Sequence, residues 1–258
     1  MLVIAFLRRS DGGETVTLSR LCALVLVGLV VTGCGGKSGG SPKSGASPQA
    51  TGNLLQNPGF EQGADPWHTM ETAGWSRDFD VTDVLAHSGA HSLHVALVPP
   101  PQPEQDWVFG VAQDITTNEV PEYVSGYYRV ENWQKATPSQ YLQFVVIVFS
   151  KDPSTGTTTN TQLRYLLAGA STEPFRIDNA KFIFVNRSEP ATGQWVHFSG
   201  NVREDFQKEW GSLPQNITSV RIFFEARYDS STAIQPQIGG DVYYDDVYAG
   251  SKAGAPDQ

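Results

Sequence analysis

Three stretches of this 258-residue chain place side chains at spacings that chemistry can use. With the two-residue period of a strand, Tyr123–Trp133 sets Ser125, Tyr127, Arg129, Glu131 and Trp133 on one face. Val124, Gly126, Tyr128 and Val130 fall on the other and read as core. Val220–Tyr228 divides in the same way, with Arg221, Phe223, Glu225 and Arg227 opposite Val220, Ile222, Phe224 and Ala226. Gln194–Val202 sets His197, Ser199 and Asn201 against Val196, Phe198 and Gly200. Sugars stack their C–H faces on aromatic rings and exchange hydrogen bonds with planar polar side chains. Tyr127, Arg129, Trp133, His197, Arg221, Glu225 and Arg227 are therefore the candidate ligand-binding residues. The same pattern also describes the solvated side of a sandwich, or a face laced by Arg–Glu pairs across strands. Trp133 and Trp210 lie among polar residues and are the candidate exposed platforms, whereas Trp67, Trp75, Trp107 and Trp195 suit core or loop packing.

Catalytic groupings are sparse. Glu131, Glu225 and His197 make an acid–base set only if the fold brings them together. The chain has no nucleophile elbow, no HExxH, no phosphate loop and no glutamate–aspartate–glutamate strand motif. His87, His91 and His94 cluster in sequence, but His91 and His94 stand three apart in a predicted strand and face opposite sides, which argues against zinc. The reading is of a chain that is not an enzyme.

The first fifty residues carry a different kind of chemistry. Leu21–Val31 is an uncharged apolar run, too short to span a hydrocarbon core of roughly 20 residues, and Arg20 precedes it. It is followed by Val31-Thr32-Gly33-Cys34, which resembles a bacterial lipobox. That resemblance implies a signal peptide over 1–33, cleavage before Cys34, acylation of that cysteine, and a membrane partner reached through lipid. Cys22 leaves with the leader, so the mature chain keeps no free thiol and no internal disulfide. Gly35 after the cysteine fits outer-membrane sorting in a Gram-negative envelope. Residues 34–52 are the lipidated cysteine and a Gly/Ser/Pro tether, able to hold a domain on the order of 25 Å from the lipid.

Residues 53–250 have the length of one domain, with 251–258 expected to be a disordered tail. From 53 onward there are 13 basic against 25 acidic residues, a balance of −12 that argues against nucleic acid or an anionic surface as partner and suits neutral sugars and calcium. Positioning the candidate residues falls to strands. Ser92–Leu97, Trp107–Ile115, Tyr123–Trp133, Tyr141–Phe149, Thr161–Leu167, Lys181–Val185, Gln194–Val202, Val220–Tyr228 and Asp241–Tyr248 are rich in β-branched and aromatic residues. Gly, Pro, Asn and Asp punctuate them. Tyr141–Phe149 is apolar almost throughout, as for a strand covered on both sides, and Asp205–Trp210 suits one or two helical turns. Many short strands predict an all-β, antiparallel β-sandwich of jelly-roll type.

An ordered set of motifs supports that architecture: Asn53-Leu54-Leu55-Gln56-Asn57-Pro58-Gly59-Phe60-Glu61, His87-Ser88-Gly89-Ala90-His91-Ser92-Leu93-His94-Val95, Tyr123–Val130, Gly193-Gln194-Trp195 and Val242-Tyr243-Tyr244-Asp245-Asp246-Val247. In this order they resemble the carbohydrate-binding modules of families four, nine and twenty-two, which share the galactose-binding-like jelly roll. The resemblance implies a non-catalytic module with carbohydrate as its partner. It also implies a structural Ca2+ at Glu61, Asp245 and Asp246, chemically apt because calcium takes hard oxygen ligands. Asp245 and Asp246 would point to opposite faces of a regular strand, so one of them is expected to ligate. The chain departs from the family pattern at Pro99–Pro103 and at Glu173–Ile177, two longer connections that reshape a binding rim. The alternatives that remain are a scaffold that docks a protein partner in the envelope and a small glycan-acting enzyme.

Overall fold

The structure is a computed structural model that describes residues 52–70, 76–100, 105–231 and 237–256. The leader, Cys34 and the tether lie outside the described residues, as do Trp75 and most of the Pro99–Pro103 connection. In chain order the strands are β1 (Ser76–Arg77), β2 (Asp80–Thr82), β3 (Ser92–Leu97), β4 (Gln105–Ile115), β5 (Tyr123–Gln134) and β6 (Gln140–Lys151). They continue with β7 (Thr158–Ala168), β8 (Ala180–Phe184), β9 (Trp195–Gly200), β10 (Ile217–Ser231) and β11 (Gly239–Gly250), with one helix, α1 (Val202–Trp210), between β9 and β10.

They form a two-sheet β-sandwich. One sheet has six strands in the order β1-β4-β10-β6-β7-β8, and the other five in the order β2-β3-β11-β5-β9. Neighbours run antiparallel except at the ends of the larger sheet, where β1 pairs with β4 and β8 with β7 in parallel. The period-two alternation explains which side chains meet between the sheets. Val220, Ile222, Phe224, Ala226 and Tyr228 of β10 face Val124, Tyr128 and Val130 of β5 and Val242 and Tyr244 of β11 across one core. At its centre Phe144 stacks on Tyr165 with ring centroids 4.3 Å apart, and Phe198 and Phe224 close around them. Burying such a side chain contributes about 1.5–3 kcal/mol. Gly200 makes room for the stack, since a β-carbon there would stand 2.7 Å from the Tyr165 ring.

The ninth strand stops earlier than expected. The predicted strand Gln194–Val202 ends at Gly200, and the chain turns into α1 because Val202 and Phe206, four apart, bury one stripe against the core. Glu204 and Asp205 sit in its first turn, Lys208 in its last, and Gly211 closes it at φ 79°. After β11, Lys252–Gly254 forms a single 3-10 turn where a disordered tail was expected, and the Lys252 amide donates to Glu122 Oε2 at 2.8 Å. The start of the domain zips onto its end. Asn53 Nδ2 donates to the Val247 carbonyl at 2.9 Å, Asn53 Oδ1 accepts the Ala249 amide at 3.0 Å, and the Leu54 amide donates to the Ala249 carbonyl at 2.8 Å.

Candidate functional site

The sandwich divides the predicted ligand residues between two outer faces. Tyr127, Arg129 and His197 stand on β5 and β9 in the five-stranded sheet, whereas Arg221, Glu225 and Arg227 stand on β10 in the six-stranded sheet. The expected single face is thus two faces separated by the core. Strand pairing in a jelly roll joins segments distant in sequence, and nothing local to 220–228 specifies which sheet receives it.

Trp133 also departs from its expected position. Asn132 adopts φ 52°, and the register with β11 slips between Glu131 and Gln134. This bulge breaks the alternation. Trp133 therefore leaves the Tyr127–Arg129 face, packs against the central core and abuts Gly240, where a β-carbon would come 3.1 Å from its ring. Its indole N–H donates to Glu189 Oε2 at 2.9 Å. Trp210 likewise packs on the core, with its indole nitrogen buried and Lys181 Nζ 5.0 Å above its ring, so it is no exposed platform. Trp67 is core, as expected.

What remains on the five-stranded face is self-engaged. The His87 ring stacks on Tyr127 with centroids 3.6 Å apart, Trp195 meets His87 edge-on, and His197 tilts against Tyr127. Arg129 Nε donates to Glu131 Oε1 at 2.7 Å. His94 stacks on Tyr243 and lies between Asp80 and Asp241, its two ring nitrogens 2.8 and 3.0 Å from their carboxylates.

The outer face of the six-stranded sheet is where polar groups converge. Cross-strand register places Glu225 beside Gln143, Arg227 beside Tyr141, and Arg164 in the next row, beside Val145 and Phe182. Gln143 Nε2 donates to Glu225 Oε1, and Arg227 Nη1 donates to the same oxygen at 3.4 Å. Arg227 Nε donates to Asp229 Oδ1 at 2.9 Å, and the Tyr141 hydroxyl donates to Asp229 Oδ2 at 2.6 Å. Arg164 donates through Nε and Nη2 to Gln162 Oε1 and approaches Glu225 Oε1 at 4.0 Å. Glu225 and Gln143 are both 0 % exposed, yet Glu225 Oε2 and Gln143 Oε1 accept no hydrogen bond among the described residues.

The electrostatics of this cluster follow from burial. Burial opposes the charge of Arg227, but Glu225, Tyr141 and Asp229 outweigh it and hold its pKa above the ordinary value. Burial lowers that of Arg164 against the pull of Glu225. Burial raises Asp229, opposed by Arg227 and by the Tyr141 hydroxyl, and it holds the Tyr141 phenol well above its usual range. Of this set the sequence singled out Glu225 and Arg227. It missed Gln143, Arg164 and Asp229, although a glutamine inside the apolar run Tyr141–Phe149 was a legible anomaly. Arg221 stands at the margin instead, forked onto Asp114 through Nε at 2.7 Å and Nη2 at 2.8 Å.

The three acids of the expected calcium corner are brought near one another. Asp246 sits at φ 48°, and pairing with β5 slips between Asp245 and Tyr248. The two neighbours therefore turn toward the same His87–Ser88 loop and not to opposite faces. Asp245 Oδ2 accepts the His87 and Ser88 amides at 2.7 and 3.2 Å, while Asp246 accepts from the Ser88 hydroxyl at 2.6 Å and contacts His87 Nδ1 at 2.7 Å. Burial, with the Asp246 charge beside it, pushes Asp245 up to about 7. A β-carbon on Gly59 would stand 3.6 Å from both Asp245 Oδ1 and Asp246 Oδ1, so two hard oxygens face one small space left by a glycine. Glu61 borders the same space, its Cγ 3.9 Å from that β-carbon, and its Oε1 accepts the Ala90 and His91 amides at 2.8 and 2.9 Å. Burial acts to raise its pKa, but those amides prevail and hold it below the ordinary value. Among the described residues, no three His, Cys, Asp or Glu side chains assemble as a metal cluster. The oxygen donors of the two aspartates beside Gly59 suit calcium, with Asp245 Oδ1 already accepting the Asp246 amide at 2.7 Å and Glu61 Oε1 engaged by the Ala90 and His91 amides.

No protein-family model matches the chain, and no curated protein matches it. Solved carbohydrate-binding modules are among the structures similar to it. A family 61 module in complex with β-1,4-galactotriose is 14% identical, with 76% of this chain and 97% of that one covered, at a TM-score of 0.35. The CBM22-2 xylan-binding domain from Paenibacillus barcinonensis Xyn10C is 14% identical over 76% of this chain and 98% of its own, at a TM-score of 0.39. A family 28 module specific for non-crystalline cellulose is 15% identical over 78% and 97% respectively, at 0.40.

Proposed function

We propose that this chain is a non-catalytic carbohydrate-binding lipoprotein, held to the bacterial envelope by lipid on Cys34 and engaging a neutral polysaccharide with the outer face of its six-stranded sheet. The observation that carries the reading is the convergence of Gln143, Arg164, Glu225 and Arg227 on that face, among Tyr141, Phe175 and Phe182, with two acceptor oxygens unpartnered among the described residues. Planar polar groups beside aromatic rings are what a sugar hydroxyl lattice requires. The acidic balance of −12 from residue 53 onward favours uncharged over anionic polymers.

Binding without catalysis is favoured by how the carboxylates are held. Glu225 and Asp229 share Arg227 as partner, so the two carboxylates are tied into one ion-pair network. Calcium belongs to the proposal as a stabilising ion held by Asp245 and Asp246 of β11, on the other sheet from Glu225 and Arg227. When bound it would balance the charge of buried Asp245 and half-buried Asp246 and supply no reaction chemistry.

Affinity electrophoresis through gels containing neutral or acidic polysaccharides tests the reading. Retardation by at least one neutral polymer is expected, with Arg227→Ala or Glu225→Gln abolishing it. A chain that migrates freely through every polymer at high protein concentration refutes it and leaves the docking-scaffold alternative standing.

A further inference from the structure

The connection between β7 and β8 crosses the outer face of the six-stranded sheet. From Ser171 to Asp178 every residue is exposed except Pro174 and Phe175. The Phe175 ring lies 5.2 Å from the Arg164 guanidinium and 5.4 Å from that of Arg227, and meets Phe182 edge-on at 5.2 Å. The one ring this segment inserts therefore rests on the two cations that flank Glu225. Both the Glu225 Oε2 and Gln143 Oε1 acceptors are buried and unpartnered among the described residues. A cluster serving structure alone would satisfy such atoms, because an unmade bond at a buried acceptor costs about 1–3 kcal/mol and more for a charged one. An open cavity of about 330 Å3 beside this segment is lined in part by Glu173, Phe175, Ile177, Asp178, Lys181 and Phe182, from the segment and from β8.

Resting on the carbohydrate reading above, we infer that Phe175 is a removable occupant of the cleft and that a neutral sugar ring takes its place. Two neighbouring sugar hydroxyls then donate to Glu225 Oε2 and Gln143 Oε1, and the Arg164 and Arg227 guanidinium groups face the sugar oxygens. The exchange is ring for ring over the same two cations. Neutrality of the sugar follows from the local balance: Arg164 and Arg227 are already matched by Glu225 and Asp229, so a uronate would bring an unmatched negative charge next to Glu225. A binder whose competent form is a minority shows an affinity reduced by that fraction, so removing the occupant strengthens binding without adding a contact.

The test uses the full-length chain in non-ionic detergent, run through native gels containing xylan, β-1,4-galactan or hydroxyethyl cellulose, and alginate or polygalacturonate as acidic counterparts. Phe175→Ala is expected to tighten binding to a neutral polymer by about threefold or more. In the wild type, backbone amides of residues 171–179 are expected to exchange hydrogen faster when that polymer saturates the protein. Equal or weaker binding by the variant, or slower exchange over 171–179 on saturation, overturns the displaced ring. Tighter binding to the acidic polymers than to the neutral ones overturns the choice of sugar. Wild type that binds while Phe175→Ala gains nothing defeats this inference alone. Failure of both to bind any polymer defeats the carbohydrate reading and this inference with it.

Discussion

Replacing Trp133 with Ala separates packing from recognition. Its ring leans on the core and on Gly240, and its indole N–H reaches Glu189. Truncating a fully buried Trp costs about 3–5 kcal/mol. Trp133 is only half-buried, so its apolar loss is nearer about 2 kcal/mol, and the bond to the exposed Glu189 adds up to about 1 kcal/mol. A total of about 2–3 kcal/mol, divided by a urea slope of about 2–3 kcal/mol per molar, lowers the urea midpoint by about 1 M. Circular dichroism through a urea titration reads that shift, and the slope should not change. Trp133→Phe should recover part of it. Polysaccharide retardation of the still-folded variant should equal that of the wild type, since Trp133 sits on the other sheet from Glu225 and Arg227. Loss of retardation with an unmoved urea midpoint would refute the reasoning and return Trp133 to the role of an exposed platform.

Further outcomes follow from the same geometry. Arg221→Ala should cost no more than about 1 kcal/mol, because its partner Asp114 is 45% exposed, and should leave polysaccharide binding intact. Asp114 is held below its ordinary 3.8 chiefly by the Arg221 hydrogen bond, so the pair stabilises the fold above that value and is lost as pH falls beneath it. An acid limb in melting temperature that is no shallower in Arg221→Ala would contradict this. EDTA should lower the melting temperature, since a ligand in hundredfold excess over its dissociation constant contributes about 2.7 kcal/mol. Asp246→Ala should erase that response, whereas Glu61→Ala should lower the melting temperature and keep it. Metal-free protein with a chelator-independent melting curve counts against calcium. Cys34→Ser should release the chain from membranes, and an N-terminal peptide mass other than lipidated Cys34 in the wild type would contradict the anchor.

The strands were legible because their alternation is local. Ser92–Leu97 was bounded as observed, and most of the other long strands differ from expectation by one to three residues at their ends. The β-bulges at Asn132 and Asp246 were not legible. Asn132 and Asp246 occupy left-handed backbone that only tertiary pairing requires, and each re-aims a residue the alternation had placed, Trp133 in one case and the Asp245–Asp246 pair in the other. The sheet that receives β10 was hidden for a different reason. Its inward set, Val220, Ile222, Phe224 and Ala226, suits either layer of a sandwich, and only pairing with β4 and β6 decides. Arg164 and Asp229 escaped notice because an isolated charge in a strand reads as a solvated one until its cover is known.

The zipper between Asn53–Leu54 and Val247–Ala249 fixes how the molecule carries tension. A pull on the chain at residue 52 enters through bonds to β11, which lies at the middle of the five-stranded sheet between β3 and β5. Under the proposed function, a polymer gripping Glu225 and Arg227 would pull on β10, which lies inside the six-stranded sheet between β4 and β6. The two forces are received by interior strands of different layers, neither at a peelable edge. Under that function, drag on a held polymer would pass across the aromatic core from one layer to the other.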